Sequence, residues 1–556
     1  EKQKIDRKVQ VMKIVESLID EINNLFNNYD INEKIDFKIS NVENFDYQVN
    51  NLVKYQNHKK IEEIVNKINL LLDKNELIQN FEITNKYFIN LKINLTNCDK
   101  FLSNIEENIL IPNPKRILID YGGPNIGKPL HVGHLRSLNI GRSLKKLNKL
   151  IGNEVVTDIH LGDWGMPVAQ IIAYCELENI DIKTLKAEKL IDIYPKSSSL
   201  YSDSEEFENL AKEKNKELNN QEKEVLEKWG FLKEISIDSI KETLFLLGHD
   251  FDLWLGESDV NELIEPMIEL LKDDGKVGID DNALVSTQDS DPKILIAKSD
   301  GSYLYLTTDI ATIKNRLENY DFDKTLYVVD ARQKLHFIQL FQTVEYFNFP
   351  KRDYKHVEFG TINNEEGKPF KTRDGGTKKL LDLYEETYDY IKSINKNLDK
   401  NVIHKLTNTV LTYSDLLTNR KTDYKFDLEK FTNISGKTGI YVQYAQVRAK
   451  KIIKNSKKEN LSGQLNITTD EERNLVVGLL NLELVINQSI KFNEPHHLAN
   501  YLYEISNLFN IFYQDENILN LDNEDLKKSK LLLIKYFLNT TKLVFGCLGI
   551  KPVEEM

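Results

Sequence analysis

Two short apolar runs, Arg116-Ile117-Leu118-Ile119-Asp120-Tyr121 and Glu154-Val155-Val156-Thr157-Asp158-Ile159, bracket a glycine-bearing loop and a stretch with Leu135, Leu138, Leu144, Leu147 and Leu150 at helical spacing. No other feature constrains the chain as strongly. Short β-branched runs suit buried strands, and the leucine spacing suits a helix packed against them. Gly152 stands where a helix C-cap belongs, just before the second run. This β-loop-α-β order predicts a parallel, Rossmann-like sheet whose ligand sits at the carboxyl ends of the strands.

The loop between strand and helix, Gly122 to His134, decides which ligand. Gly122 through Lys128 has the spacing of a phosphate-cradling P-loop, but Pro129 stands where a Ser or Thr hydroxyl must bind magnesium, and it has no N-H for an anion nest. A P-loop is excluded on that residue. Proline is acceptable in the first turn of a helix, which turns attention to His131-Val132-Gly133-His134. Histidines at i and i+3 at a helix start share its free N-H groups and the positive pole of its dipole, which attract phosphate. Gly133 leaves room for a flat adenine, and His131 and His134 are placed to donate to phosphate oxygens as charge builds at an attacked α-phosphate. Lys128 adds a mobile positive charge; a pair of ordinary surface histidines would show the same spacing. A second basic loop, residues 367 to 379, offers Lys371 and Arg373 to close over a triphosphate and its leaving pyrophosphate.

At 556 residues the chain is too long for one core, and about three or four domains are expected. No run of 18 apolar residues suggests a membrane span, and the N-terminal stretch is an amphipathic, mixed-charge helix without the features of a signal peptide. Three cysteines in no CxxC spacing make structural zinc an unfavourable reading and a reducing cytoplasm the expected compartment. The net charge of -13 argues against nucleic acid only in the far field, because phosphate contacts are made by local patches. Residues 1–110 read as an α+β module closed by runs such as 87–93, and the Pro-containing segment 111–114 as the connection to a catalytic domain over 111–376. Within it, 176–285 reads as a charged helical insertion, 293–297 as a strand turned at Asp300-Gly301 into a second strand at 303–306, and 326–329 and 356–359 as further strands. Beyond 377 only helical periodicity remains.

Taken together the motifs resemble the class I aminoacyl-tRNA synthetases, and within them the bacterial type of arginyl-tRNA synthetase. His131 to His134 resembles the His-Ile-Gly-His signature, and Pro124 to Pro129 the arginine-specific lead-in. In family order follow His160-Leu161-Gly162-Asp163-Trp164-Gly165, Tyr305-Leu306-Thr307-Thr308-Asp309, Arg332-Gln333 with His336, Phe370-Lys371-Thr372-Arg373, Tyr441 through Ala445, and the terminus from Leu548 to Met556. The resemblance implies that arginine and ATP, with magnesium on the nucleotide, give arginyl-adenylate and pyrophosphate, and that the arginyl group then passes to the 3′ end of tRNA(Arg). It implies nucleotide contacts from Asn125, Gly127, Lys128, His131, Gly133 and His134, and an arginine pocket of Asp120, Asn125, Tyr305, Asp309 and Gln333. A carboxylate accepts two guanidinium N-H groups in parallel, so Asp309 is the residue expected to separate arginine from lysine. The family more often has glutamate at Asp120, and aspartate has a shorter reach. The class signature Lys-Met-Ser-Lys-Ser aligns with Pro369 to Arg373, so Thr372 replaces its second lysine, and the resemblance implies that Lys128 takes over part of that role.

For tRNA the resemblance implies an N-terminal added domain at the tRNA elbow, with Phe88 and Asn90 as contacts. It also implies an α-helical anticodon-binding domain over 377–556, carrying Tyr441, Tyr444, Arg448, Tyr513 and Met556. Tyr441 and Tyr444 lie one helical turn apart, spaced for stacking on exposed bases, and Arg448, Lys450, Lys451, Lys454, Lys457 and Lys458 form a basic stripe. A monomer without a resident metal is expected. Another synthetase of the class would lack the Tyr305 and Asp309 pair, a small nucleotidyltransferase would not need the helical domain, and a non-enzymatic tRNA-binding protein would have lost Lys128 or the histidines.

Overall fold

The computed structural model describes residues 14–29, 31, 35, 37–40, 42–96, 98–299, 301–368, 370, 378–457, 461–514 and 518–556. Their contacts divide the chain into two compact units, Glu1–Pro112 with Arg448–Leu484 and Glu504–Leu543, and Asn113–Val447 with Val485–Tyr503 and Val544–Met556. In the first unit β1 (Phe37–Ile39), β2 (Tyr47–Val49), β3 (Ile78–Ile83) and β4 (Ile89–Ile93) form an antiparallel sheet in the order β1-β2-β4-β3. Its core holds Phe37, Val49 and Leu91 and the buried sides of helices Ile14–Asn27 and Ile61–Lys74. Late segments join it through specific bonds: Tyr47 Oη donates to Asn481 Oδ1 at 2.6 Å, Arg473 pairs with Asp46 at 2.7 Å, and Leu465 N donates to Asp99 Oδ1 at 2.9 Å.

The second unit is built on the predicted β-loop-α-β. The strands β5 (Arg116–Tyr121) and β6 (Glu154–Asp158) pair in parallel around helix His134–Leu150. A small antiparallel sheet of β7 (Val277–Asp280), β8 (Ala283–Ser286) and β9 (Leu295–Ala297) follows, and then β10 (Lys324–Val328) and β11 (Asp353–His356) complete a four-stranded parallel sheet, β11-β10-β5-β6. Because β6 lies on one side of β5 and β10 on the other, the strand order reverses between β5 and β10. A crevice opens at such a switch point, and the loop after each strand reaches it from its own side.

Four local expectations are corrected. Residues 303–306 form no second hairpin strand: Tyr303 makes one bridge to Ala297 and a helix starts at Tyr305, with Thr307 Oγ1 bonded to Ile296 O at 2.5 Å. The apolar spacing Leu306, Ile310, Ile313 had the helical period all along, and these residues are buried. The helical insertion ends at Asp273, with β7 and β8 inside the span read as helix. The strand read at 356–359 is Asp353–His356, and one further strand past 377, β13 (Tyr424–Lys425), pairs with β12 (Ile362–Asn363). Segments Asp470–Phe492 and Glu524–Leu548 are long and apolar enough to cross a membrane, yet 61% and 72% of their apolar windows are buried in the protein, as in core helices.

Candidate active site

After β5 the chain crosses to the switch point through Gly122 and Gly123, both at positive φ. The segment beyond is pinned to the loop after β6: Gly162 N donates to Pro124 O at 3.0 Å and Ile126 N to Gly162 O at 3.1 Å. A Cβ on Gly162 would lie 1.9 Å from Asn125 Oδ1, so glycine there makes room for Asn125. Gly127 has φ +77, and a Cβ on it would meet Ile171 Cδ1 at 2.3 Å, so both conformation and space demand glycine. Lys128 follows, its Nζ 4.0 Å from the centroid of the Tyr194 ring. On the other side Val132 N donates to Lys378 O at 3.0 Å and Leu380 N to Leu130 O at 2.9 Å, tying the end of the basic loop to the histidine loop. Lys371 and Arg373 themselves lie outside the described residues.

The helix begins at His134, with Gly133 as its N-cap, so His131 sits in the preceding turn and not on the helix. The two rings nevertheless meet, with centroids 3.9 Å apart. A Cβ on Gly133 would come within 2.8 Å of His131 Cε1, so the first thing this glycine accommodates is the His131 ring. Backbone groups meet both rings: His134 Nδ1 lies 3.0 Å from His131 N and 3.2 Å from His131 O, and His131 Nδ1 accepts from Gly133 N at 3.1 Å. The neutral His131 ring therefore carries its proton on Nε2. Burial, the neighbouring His131 and Lys128 push the His134 imidazole down to about 3. Burial, Lys128 and Arg332 lower that of His131. The loop thus presents neutral N-H donors, beside cations, where β5 and β10 part.

The other wall comes from the loop after β10 and from helix Tyr305–Asn319. Asp330 caps the 3-10 turn Ala331–Gln333 and grips Arg332 at 2.8 and 2.9 Å, leaving Gln333 exposed beside it. Tyr305 and Asp309 share a face of the helix at i and i+4; Tyr305 is 68% exposed. Asp309 Oδ2 accepts from His336 Nε2 at 2.6 Å, which fixes the carboxylate and leaves Oδ1 unshared by that bond. Two turns on, the buried Arg316 bonds both Asp120 Oδ2 and Asp158 Oδ2 through Nη2 at 2.6 Å. Asp120, expected in the arginine pocket, is thus engaged by Arg316.

His160 Nδ1 lies 3.7 Å from Asp158 Oδ2. Burial opposes its charge, but Asp158 and Asp120 outweigh burial and push its pKa up to about 9. Two cations therefore face two carboxylates under the crevice. Arg316→Met leaves both carboxylates without their guanidinium, and removing one partner of a buried ion pair costs about 3 to 5 kcal/mol. Urea unfolding is expected to show a loss of that size; an unchanged midpoint would mean that the cluster is not held together by Arg316.

Sequence reasoning missed Glu257. It opens the 3-10 turn Glu257–Val260, which packs on helix Tyr305–Asn319. The motif residue Asp163, fully buried, holds that turn by accepting from Ser258 N (2.9 Å), Ser258 Oγ (2.6 Å) and Lys233 Nζ (2.6 Å). A Cβ on Gly256 would meet Asp163 Oδ1 at 2.5 Å. Burial, with Asp163 and Asp309 nearby, pushes the Glu257 carboxyl up to about 7. The sequence signal was its place in a Gly-Glu-Ser-Asp turn inside a segment read only as insertion.

The tRNA candidates lie elsewhere. Phe88 is half-buried, and Asn90 is buried with Gln48 Nε2 donating to its Oδ1 at 2.8 Å. Tyr441 packs on Tyr503 with ring centroids 5.3 Å apart, Tyr444 and Met556 are half-buried, and Arg448 lies over the Tyr513 ring at 5.6 Å. Lys458 is outside the described residues. Among the described residues two groups have the donors for a metal ion. Asp120 and Asp158 of the first already share Arg316, and Glu494, His496 and His497 stand at the positive end of a helix with Arg420 Nε bonded to Asn493 O.

A parallel sheet with a His-x-Gly-His loop at its switch point, followed by a basic loop tied to it and a late helical region, defines the catalytic architecture of a class I aminoacyl-tRNA synthetase. Residues 97–428 match the family model described as tRNA synthetases class I (R), catalytic domain, and 442–556 match the DALR anticodon binding domain. The chain belongs to the arginyl-tRNA synthetase family. It is 33% identical over 533 residues to an arginine–tRNA ligase of Francisella tularensis subsp. novicida, covering 89% of this chain and 90% of the relative. It is 32% identical over 542 residues to one of Agathobacter rectalis, with the same coverage. The arginyl-tRNA synthetase of Plasmodium falciparum superposes with a TM-score of 0.81 at 25% identity, covering 97% of this chain and 99% of that one. That of Thermus thermophilus gives 0.80 at 20% identity, covering 97% and 100%, and supports the fold alone.

Proposed function

We propose that the crevice between β5 and β10 carries out both half-reactions of arginine–tRNA ligation. The chain is an aminoacyl-tRNA synthetase, a ligase that joins arginine to tRNA at the expense of ATP. A carboxylate oxygen of arginine attacks the α-phosphorus of ATP and pyrophosphate leaves; a hydroxyl of the terminal ribose of tRNA then attacks the carbonyl carbon and AMP leaves. The observation that carries this reading is the pair of neutral imidazoles, their rings 3.9 Å apart, beside Lys128 at the switch point. Such donors bind phosphate oxygens as charge builds on them and need no reorganisation. Lys128 takes the leaving pyrophosphate, with Lys371 and Arg373 from the basic loop, and Asn125, Gly127 and Gly133 shape the nucleotide's side. Magnesium enters on the phosphates of ATP; the histidine loop offers N-H groups, which suit phosphate oxygens and not a metal.

Asp309, aimed by His336, takes the guanidinium, with Tyr305 and Gln333 beside it and Asp120 acting through Arg316. Glu257 supplies a second carboxylate to the same ligand. Its carboxyl titrates at about 7 against an ordinary 4.5, so in the unliganded protein its ionisation lowers stability as pH rises through that interval. A bound guanidinium reverses this by favouring the carboxylate, so arginine binding near pH 7 is expected to release protons. Calorimetric titration in two buffers of different ionisation enthalpy measures it: the heats should differ for wild type and coincide for Glu257→Gln.

The domain roles are the N-terminal 1–110 at the tRNA elbow through Phe88 and Asn90, catalysis over 111–376, and anticodon binding over 377–556. Tyr441, Tyr444, Arg448, Tyr513 and Met556 carry the anticodon contacts. A monomer in the cytoplasm, off the membrane, fits three buried free cysteines and apolar helices that lie in the core. The deciding test is charging of bacterial tRNA with labelled arginine, with lysine as control. Arginine-specific charging is expected; tRNA binding without charging by any amino acid would make this a tRNA-binding protein.

A further inference from the structure

Helix Ala187–Asp203 belongs to the charged insertion, to which the sequence assigned no chemistry, yet its Tyr194 ring lies 4.0 Å from the Lys128 ammonium. We infer that Tyr194 is a positioning residue for Lys128, its ring face holding the ammonium beside the histidine loop before the nucleotide arrives. A lysine stem on a loop has several rotatable bonds, and the entropy lost in ordering it opposes binding. A cation over an aromatic face is attracted by the ring quadrupole, which selects one of those rotamers.

Three observations converge on this role. The ammonium rests on the ring while its charge still lowers the pKa of both His131 and His134, so the held position is the one the phosphates need. Tyr194 is half-buried against the apolar cluster that contains Ile126, Val168 and Ile171, and Ile171 also packs on Gly127, one residue before the lysine. The aromatic platform and the lysine loop thus share one support. Finally, burial, Glu257 and Tyr194 together raise the pKa of Tyr305, so the ring stands near the arginine side of the crevice.

The inference rests on the proposed role of Lys128, and the test separates the two. Tyr194→Phe, Tyr194→Leu, Lys128→Met and the Tyr194→Leu/Lys128→Met double variant are compared by arginine-dependent pyrophosphate exchange with tRNA present and by ATP titration. The ring alone should suffice, so Phe is expected within about two-fold of wild type and Leu about ten-fold lower in kcat/KM for ATP. The KM for arginine should stay level, and Leu should add nothing once Lys128 is Met. A purely structural role would instead lower Phe and Leu with their melting temperatures, or make the double variant additive; either result, or a Leu variant equal to or better than wild type, overturns the inference. Wild-type protein that binds ATP but exchanges no pyrophosphate with arginine even when tRNA is present would sink the proposed function, and the ATP titration would still decide for or against Tyr194.

Discussion

Asp309→Asn is expected to lower kcat/KM for arginine by about 10²- to 10³-fold while leaving the KM for ATP nearly unchanged, because truncating a hydrogen-bonded charge pair costs roughly 2 to 5 kcal/mol. Asparagine has the shape of aspartate but turns an N-H₂ toward one arm of the guanidinium and carries no charge. The His336 Nε2 bond to Oδ2 at 2.6 Å makes the effect larger than for a freely rotating carboxylate: it holds the plane of Asp309 for a parallel fork. Exchange assays over a range of arginine concentrations measure the change. A variant within about three-fold of wild type would move the specificity role to Glu257.

His134→Ala is expected to reduce kcat of adenylate formation by about 10²- to 10³-fold, the loss found when one preorganised donor to a developing oxyanion is removed. Arginine affinity by calorimetry should not change, since His134 lies on the other wall. Its pKa is pushed down to about 3, so the donor stays neutral at every pH at which the protein is folded and active, and the wild-type rate should show no inflection from this group between about pH 5 and 8. The unfolded chain binds a proton at this histidine near its ordinary 6.5, so the same group lowers stability as pH falls from that value. Glutamine at 134 restores an N-H donor and should recover part of the rate. An alanine variant with full kcat would leave phosphate binding to Lys128 and the basic loop.

Much of the site was legible because it is written in contiguous loops. The histidine loop, the Tyr305 to Asp309 spacing and Arg332-Gln333 each lie within a few residues of a strand end or helix start, where local pattern is informative. The hairpin error at 303–306 came from reading Asp-Gly as a strand turn when the apolar residues after it already had helical spacing. Glu257 was not legible: its importance depends on Asp163, more than ninety residues away, holding its turn against another helix. Tyr194 was hidden for the same reason, on an insertion helix that comes back over Lys128.

By itself the sequence determined the parallel sheet and the loops at its strand ends that carry the candidate residues, because strand and helix periods and turn glycines act over a few residues and need no distant partner. Only the tertiary structure decided the buried charge. Helix His134–Leu150 carries Arg136, Arg142 and Lys145, and each is no more than 2% exposed. Arg136 pairs with Asp415, Arg142 bonds Leu247 O and Thr412 Oγ1, and Lys145 pairs with Asp250. A cation leaves water only when partners replace its hydration, and here those partners come from segments about one hundred to nearly three hundred residues downstream.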